Sequence, residues 1–137
     1  MSEIKLQVGV KALLKNGDRY LLIKRSAEKY PEVTNLWDIV GGRIKSGQLL
    51  MSELEREVRE ETGLQISKAR LIAAQDILKN GMHVVRLTYV ADSSGDKVEL
   101  SDEHDEARWL SEDEIRNMEG VDRYFKELVD NGEVFGK

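Results

Sequence analysis

The sequence contains no cysteine, only one proline and no long apolar run. Without cysteine, the chain cannot form a disulfide, use a thiolate nucleophile or bind zinc through thiolates. No stretch approaches the roughly 18 apolar residues that a membrane-spanning helix needs, and the first residues lack the charged-then-apolar order of a secretion signal. We therefore expect a cytoplasmic protein that has no membrane partner.

Charge and length set further limits. The net charge of -5 at pH 7 gives no general attraction to a polyanion, so duplex nucleic acid is not an expected partner. An acidic protein that acts on phosphates would need a metal ion close to them. With 137 residues, of which 40% are hydrophobic, the chain is long enough for one domain with a core and short for two. We expect residues 1–137 to form a single domain.

The chemistry is densest in residues 41–64, which read GGRIKSGQLLMSELEREVREETGL. On a helical wheel of about 100° per residue, the aliphatic side chains of the second half form one stripe. These are Leu50, Leu54 and Val58. Glu61 projects into the same stripe and Glu57 lies at its edge. A soluble helix seldom carries acids there.

Two interpretations of this helix stay open. It could be a solvated helix laced with ion pairs four residues apart, such as Arg56 with Glu60. Alternatively, the acids are partly buried together, which disfavours their ionisation unless a cation compensates. Mg²⁺ prefers oxygen ligands and commonly takes a few carboxylates together with substrate phosphates. Acids spaced three and four residues apart on a helix can offer such a site.

Glycines flank the acids on both sides. Gly41, Gly42 and Gly47 follow the apolar run 36–40, which predicts a strand that enters a flexible loop before the helix. Glycine allows the backbone to approach a ligand closely. Gly63 comes just after the acids, where a left-handed residue would end the helix.

This stretch resembles the Nudix box, whose pattern is G-x5-E-x7-R-E-U-x-E-E-x-G-U with U an aliphatic residue. Eight of the nine fixed positions match, namely Gly42, Arg56, Glu57, Val58, Glu60, Glu61, Gly63 and Leu64. The first acid of the pattern is replaced by Gln48, which could weaken an outer contact of the site. Val40 also departs, because many members have proline there. The remaining acids are intact, so we expect activity.

The resemblance implies a fold, a cofactor and a reaction. The fold would be an α/β/α sandwich with a mixed β-sheet and a loop-helix catalytic motif. The reaction would be hydrolysis of a nucleoside diphosphate linked to a moiety X, with Mg²⁺ or Mn²⁺ as cofactor. The implied metal ligands are Glu57, Glu60, Glu61 and Glu103. Arg56 would orient the acids, and the base that takes a proton from water could be Glu57, Glu60 or Glu103.

Glu103 is chosen because Nudix members commonly carry an acid in a loop several residues before a tryptophan, here Trp109. His104 or Glu106 could serve instead, and a merely solvated acidic loop is also open. For substrate binding, the resemblance points to Arg25, Arg43, Gly41, Gly42 and Trp37. A solvated charge at a strand end is the less favoured alternative for Arg25. Trp37 could stack on a base, although a tryptophan entering a strand belongs more often to the core.

The remaining pattern predicts a hairpin, three further strands and one or two helices. Strands are expected at 4–14, 20–23, 66–78, 83–91 and 108–110, with a turn at 16–18. Ser46 or Ser52 could cap the helix of the box, and Ser111 opens a second Ser-x-x-Glu cap. After it, Ile115, Met118, Tyr124, Phe125, Leu128 and Val129 suggest helices that pack on the sheet.

The substrate is less constrained than the reaction. Compact length and the pair Trp37-Asp38 before the glycines favour a nucleoside triphosphate pyrophosphohydrolase. ADP-ribose or another nucleotide sugar is an alternative, although the chain lacks a proline after Pro31 that some ADP-ribose members have. A non-catalytic nucleotide sensor and a plain interaction domain are alternatives of other classes. Isopentenyl diphosphate isomerases of the family use a catalytic cysteine, which is absent. A homodimer is left open.

Overall fold

Seven strands and three helices occupy residues 3–136, the part of the chain that the computed structural model describes. In chain order they are β1 (Lys5–Asn16), β2 (Arg19–Arg25), β3 (Trp37–Asp38), β4 (Val40–Ile44), α1 (Leu50–Thr62), β5 (Ile66–Lys79), β6 (Met82–Ser93), β7 (His104–Leu110), α2 (Glu112–Arg116) and α3 (Arg123–Asp130). Met1 and Ser2, which belong to the N-terminal segment used in the sequence analysis, lie outside the described residues.

Strand β1 organises the sheet because it pairs along both edges. One edge runs parallel to β6 over most of its length. The other edge pairs antiparallel with β4 through residues 8–12 and then with β2 at Lys15 and Asn16. β3 and β7 extend the sheet from β2, and β5 pairs antiparallel with β6. One parallel pair among antiparallel ones makes this a mixed sheet.

The two faces of the sheet carry two apolar clusters. Successive side chains of a strand point to opposite faces, so Leu13 belongs to one cluster and Leu14 to the other. The Leu14 cluster includes Leu54 and Val58 of α1, whereas the Leu13 cluster includes Phe125 of α3. Helices therefore cover both faces, which confirms the predicted α/β/α sandwich.

Local signals in the sequence agree with several of these elements. The hairpin from β1 to β2 turns at Gly17, whose φ of 64° lies in the left-handed region. Gly63 ends α1 with a φ of 75°, and its N–H donates to the carbonyl of Arg59. Ser111 and Glu114 form the reciprocal capping box of α2. The two helices suggested after Ser111 are α2 and α3.

Two predictions around the Nudix box are wrong. Gly41 and Gly42 lie inside β4, paired with Lys11 and Val10 of β1, rather than in a flexible loop. Because glycine has no side chain, β4 can approach β1 very closely here: a Cβ at Gly41 would stand 2.1 Å from the carbonyl oxygen of Val10. The glycines signal close packing of two backbones, which glycine permits as readily as a loop does.

The start of α1 also differs from the expectation. Neither Ser46 nor Ser52 caps the helix, since the N-cap residue is Leu49 and no side chain bonds to the first turn. Ser52 lies inside the helix, where Ser-x-x-Glu spacing has no capping meaning. Leu50, placed on the core stripe from the wheel, is partly exposed at this first turn.

Helix α1 is the longest described helix, with 13 residues. Across residues 3–136, none of the helices combines the length and the apolar character required to cross a lipid bilayer.

Candidate active site

Helix α1 carries two carboxylates to the β4 strand. Leu54 and Val58 are fully buried against the sheet, and this packing turns the same side of the helix toward the glycines. Glu61 is only 8% exposed, and its Oε1 lies 3.4 Å from the backbone nitrogen of Gly41. The wheel argument that placed Glu61 among apolar residues therefore agrees with its burial.

The second carboxylate, that of Glu57, lies directly over Gly42. A Cβ at this glycine would stand 2.9 Å from the Glu57 carboxyl carbon, which is closer than side chains pack. The space that the carboxylate occupies therefore exists because residue 42 has no side chain. Glu57 is also close enough to Glu61 to raise the pKa of the Glu61 carboxyl group.

Burial and crowding change the acidity of this pair. The pKa of Glu61 is raised to about 8, by burial first and by the neighbouring Glu57 as well, against the opposing influence of Lys11 and the Gly41 N–H. A cation held between the two carboxylates would favour their ionised forms. Oxygen donors of this kind suit a hard divalent ion such as Mg²⁺ or Mn²⁺. The donor chemistry of the pair therefore fits the implied cofactor.

The guanidinium of Arg56 holds three acids of the helix together. Its Nη1 donates to both oxygens of Glu60, at 2.8 and 2.7 Å. Its Nη2 donates to Glu57 at 3.0 Å and also to Glu53. Hydrogen bonds to Glu53 and Glu60 raise the pKa of the guanidinium. The Arg56–Glu60 pair of the solvated interpretation therefore exists beside the buried pair, on the outer side of the same helix.

The four predicted metal ligands do not converge on one point. Glu60 is 56% exposed and turned to Arg56, while Glu103 lies in the loop before β7. Within residues 3–136, no three histidine, aspartate or glutamate side chains are grouped as a metal site. The structure brings Glu57 and Glu61 together and leaves Glu60 and Glu103 outside this pair.

Glu103 faces the same region through Tyr30. After burial, Glu103 is the strongest influence that raises the pKa of Tyr30, and Glu61 also raises it. Both carboxylates therefore lie within electrostatic reach of one hydroxyl group. The loop is held to the strand that carries Arg25, because the N–H of Ser26 donates to the Glu103 carbonyl at 2.9 Å.

The two alternatives to Glu103 have different surroundings. Burial lowers the pKa of His104 to about 4, helped by Arg25 and Lys11, so its imidazole is neutral at pH 7. Its Nδ1 is buried and has no hydrogen-bond partner among the described residues. Glu106 is half-buried and pairs with Arg108 at 2.7 Å.

A cavity of about 260 Å³ opens on the other side of the glycine pair. Four predicted substrate-binding residues, Arg25, Arg43, Gly41 and Gly42, line it. Three further basic residues, Lys11, Lys79 and Arg86, and two acidic ones, Asp38 and Asp122, line it as well. The cavity is therefore rich in positive charge and borders the carboxylate pair.

Asp38 holds the inner charges of this cavity in place. It lies 3.2 Å from Lys11 and 3.2 Å from Arg86, with Arg25 at 3.9 Å. Burial alone would raise the pKa of Asp38, but these three cations outweigh burial and lower it. Arg86 also pairs with Asp122 at 3.2 Å. The inner wall is a buried network of alternating charges.

The sequence analysis missed this network. Its signal was a single charge inside an apolar strand, as in Val10-Lys11-Ala12 and in Val85-Arg86-Leu87. A buried strand seldom carries a lone charge without a partner, because an unpaired buried charge is costly. The partner was invisible because it lies in a distant strand.

Trp37 does not line the cavity. Its side chain is 8% exposed and packs in the cluster of Leu13, and the Arg108 guanidinium lies 4.8 Å from the centre of its ring. Its backbone N–H donates to the carbonyl of Gly120. The structure thus places Trp37 in the core, the alternative to base stacking that the sequence analysis kept open.

Comparison with known proteins identifies the family. The family model of the NUDIX domain matches residues 5–129. The chain belongs to the Nudix hydrolase family. The match spans β1 to α3, so it includes the carboxylate pair and the basic cavity. The resemblance drawn from the box is confirmed, and the chain is a hydrolase of phosphoric anhydrides.

The names of relatives of this Nudix hydrolase differ in the activity that they state. YvcI of Bacillus subtilis, named an uncharacterized Nudix hydrolase, is 31% identical over 119 residues, which are 82% of this chain and 71% of YvcI. The nucleoside triphosphatase NudI of Escherichia coli is 24% identical over 116 residues, 75% of this chain and 80% of NudI. The NAD-capped RNA hydrolase NudC of Vibrio atlanticus is 26% identical over 124 residues, 86% of this chain but 42% of NudC.

Solved structures agree with the fold. A MutT protein from Methanosarcina mazei is 28% identical with a TM-score of 0.79, over 96% of this chain and 95% of that one. A MutT Nudix hydrolase from Burkholderia pseudomallei is 27% identical with a TM-score of 0.76, over 92% and 97%. Nudix hydrolases generally use divalent metal ions, which suits the carboxylate pair described above.

Proposed function

We propose that this Nudix hydrolase cleaves a pyrophosphate bond in a nucleoside diphosphate linked to X, and that a nucleoside triphosphate is its preferred substrate. One observation carries the proposal: the buried carboxylate pair of Glu57 and Glu61 borders, across Gly41 and Gly42, a cavity rich in basic side chains. Carboxylates can hold a metal ion, and basic groups can bind phosphates. The likeness to the nucleoside triphosphatase NudI supports the choice of substrate.

Glu57 and Glu61 would hold Mg²⁺ or Mn²⁺, with Glu60 and Glu103 as further ligands. When bound, the ion supplies positive charge against the pyrophosphate and makes a water molecule more acidic. Glu60 would have to leave Arg56 to contribute, which its exposure allows. Arg56 keeps Glu57 in place through the bond from Nη2.

The cations of the cavity would bind the phosphates that do not react. Arg25 and Arg43 offer planar guanidinium groups that match phosphate oxygens, and Lys79 adds a point charge. Lys11 and Arg86 are already paired with Asp38, so they shape the wall and contribute positive potential.

In the reaction, water attacks one phosphorus atom and the bridging oxygen leaves with the bonding electron pair. The proton of the water passes to a carboxylate, and Glu57, Glu60 or Glu103 could accept it. The products are a nucleotide and a second phosphorylated compound. In this mechanism the protein positions the water and the phosphates and supplies charge, which are the main requirements of phosphoryl transfer.

Other substrates and a non-catalytic role are tested by the same experiment. The measurement is release of phosphate, pyrophosphate or nucleotide from nucleoside triphosphates, ADP-ribose, other nucleotide sugars and NAD, with Mg²⁺, with Mn²⁺ and with a chelator. Metal-dependent pyrophosphate release from nucleoside triphosphates is the expected result. Faster release from ADP-ribose or a nucleotide sugar would replace the proposed substrate. Binding of a nucleotide without any turnover would favour a sensor.

Three further expectations stay predictions. Cell fractionation checks a cytoplasmic location, and light scattering of the purified chain distinguishes monomer from homodimer. A single cooperative unfolding transition, seen by two different probes, is expected if residues 1–137 form one domain.

A further inference from the structure

Glu53 is a buried acid of α1 that the proposed chemistry does not use. It is 4% exposed, deeper than any other acid of the helix. Taking an ionised carboxylate out of water is costly unless a cation pairs with it. The Nη2 atom of Arg56 provides this partner. A buried acid with a dedicated cation marks a contact that holds a defined geometry.

Arg56 links Glu53 to the carboxylates of the site. Its two terminal nitrogens bond to different acids, Nη1 to Glu60 and Nη2 to both Glu53 and Glu57. The Nη2 atom thus lies between a buried anchor and the carboxylate above Gly42. Because the guanidinium is planar and rigid, an anchor on Nη2 also fixes the direction in which Glu57 is held.

Gln48 stands where the Nudix box has its first acid. Its Oε1 accepts a hydrogen bond from the Lys45 N–H at 2.7 Å, in the exposed turn that precedes α1. Among the described residues, its side chain makes no hydrogen bond to Arg56. The box fixes an acid at position 48 and leaves position 53 free, whereas this chain has its acid at 53 and an amide at 48.

We propose that Glu53 is a positioning residue, which gives Arg56 a buried carboxylate partner and makes an acid at position 48 unnecessary in this chain. Through Arg56, Glu53 orients Glu57 against Glu61. The change at Gln48, in the turn before α1, is then compensated by an acid inside the helix. The proposal rests on the proposed function, because the orientation of Glu57 matters as part of a metal site.

The test measures Mn²⁺ affinity of the metal-free protein by electron paramagnetic resonance, without substrate. The wild type is compared with Glu53→Gln, which keeps the shape and removes the charge, and with Glu55→Gln, an exposed acid of the same helix. Partners that orient a ligand typically contribute about 10- to 100-fold in metal affinity or activity. We expect such a loss for Glu53→Gln, with lower kcat and an unchanged KM for the nucleotide. Glu55→Gln should behave as the wild type.

A second pair of variants tests the exchange between positions 48 and 53. Gln48→Glu alone should leave Mn²⁺ affinity unchanged, because Arg56 already has its buried partner. In the Glu53→Gln protein, Gln48→Glu should recover most of the lost affinity. If it recovers none, position 48 does not substitute for Glu53 and the exchange is refuted.

Folding and function are kept apart by two further comparisons. If Glu53→Gln does not fold, Arg56→Lys serves in its place, since it keeps the charge and loses the fork. Arg56→Lys should lower Mn²⁺ affinity as much as Glu53→Gln is expected to. A variant of either kind that melts at a lower temperature yet binds Mn²⁺ like the wild type would reduce Glu53 to a structural role. A wild type that binds no Mn²⁺ would overturn the metal part of the proposed function, and this inference with it.

Discussion

Two neighbouring regions of the molecule treat buried carboxylates in opposite ways. On α1, Glu61 is crowded by Glu57, and its pKa is raised to about 8 by burial first and by that neighbour as well. Across the glycine pair, Asp38 is more enclosed, yet Lys11, Arg86 and Arg25 outweigh burial and lower its pKa. The positive charge around Glu61 is too small to offset its burial, whereas the positive charge around Asp38 more than offsets burial.

The difference separates a site that can take a cation from a wall that is already neutralised. The Glu57–Glu61 pair would gain from a divalent ion, because an added positive charge favours both ionised carboxylates. Asp38 is already paired with cations, and it holds these cations in place along the wall of the cavity. Substitutions can therefore disturb one side of this contrast at a time.

The largest effect is expected when the pair loses one carboxylate. Glu57→Gln removes a charge beside Glu61 and a candidate base, so turnover should fall by about 10²- to 10⁴-fold, the range for a general acid-base group. Steady-state kinetics in Mg²⁺ measure the loss. The fold should survive, since the amide can keep the place above Gly42. The control is Glu55→Gln, and unchanged turnover in Glu57→Gln would show that the pair is not the metal site.

Asp38→Asn should produce the largest loss of stability. The substitution leaves Lys11 and Arg86 buried beside a neutral amide, and breaking a buried ion pair in this way costs about 3–5 kcal/mol. Chemical denaturation measures the free energy of unfolding. Asp130→Asn, which removes an exposed partner of Lys126, is the matched control and should change little. Equal stability of the two variants would contradict the network.

The pH dependence of stability should have opposite signs in the two regions. Between pH 4.5 and about 8, the folded metal-free protein holds a proton on Glu61 that the unfolded chain releases, so the contribution of Glu61 to stability falls as pH rises. The contribution of His104, whose pKa is lowered from 6.5 to about 4, rises over the lower part of this range, so a net decline is expected between pH 6.5 and about 8. Asp38 behaves conversely: its ionised form is favoured in the folded state, so its contribution is lost as pH falls below the ordinary value of 3.8. Unfolding in a chelator across this range measures both.

Two changes separate these contributions. Glu61→Gln should abolish the decline between pH 6.5 and about 8, and Mg²⁺ should reduce the decline in the wild type. Asp38→Asn should leave that decline in place and reduce the loss at acid pH. A decline that persists in Glu61→Gln would mean that another group is responsible.

How far the sequence predicted this contrast depends on the distance between partners. The acids of α1 and the end of this helix at Gly63 were predictable, because residues that contact each other on one helix are three or four positions apart in the sequence. The Asp38 network was not, since Lys11, Asp38 and Arg86 belong to three different strands, β1, β3 and β6, which only the folded sheet brings together.

Glycine and serine patterns misled for a related reason. Gly41 and Gly42 carry the same sequence signal whether a loop bends or two strands come close, and only the pairing with β1 decides. Ser52 and Glu55 have the spacing of a cap, but Leu49 starts the helix one turn earlier. Because the helix starts there, Glu53 is buried and pairs with Arg56, a contact that the capping interpretation did not predict.

The smallest effect is expected at the rim of the cavity. Arg43 is exposed and donates to Gln7 at 2.7 Å, so its loss should leave the fold and the carboxylate pair unchanged. Arg43→Gln should raise KM for a nucleoside triphosphate by about tenfold, which corresponds to one hydrogen bond to a charged group, while kcat stays the same. Arg70→Gln, on β5 and lining a different cavity, is the control. A fall in kcat with unchanged KM would instead place Arg43 at the reacting phosphate, and would join the two regions that the charges of Glu61 and Asp38 keep apart.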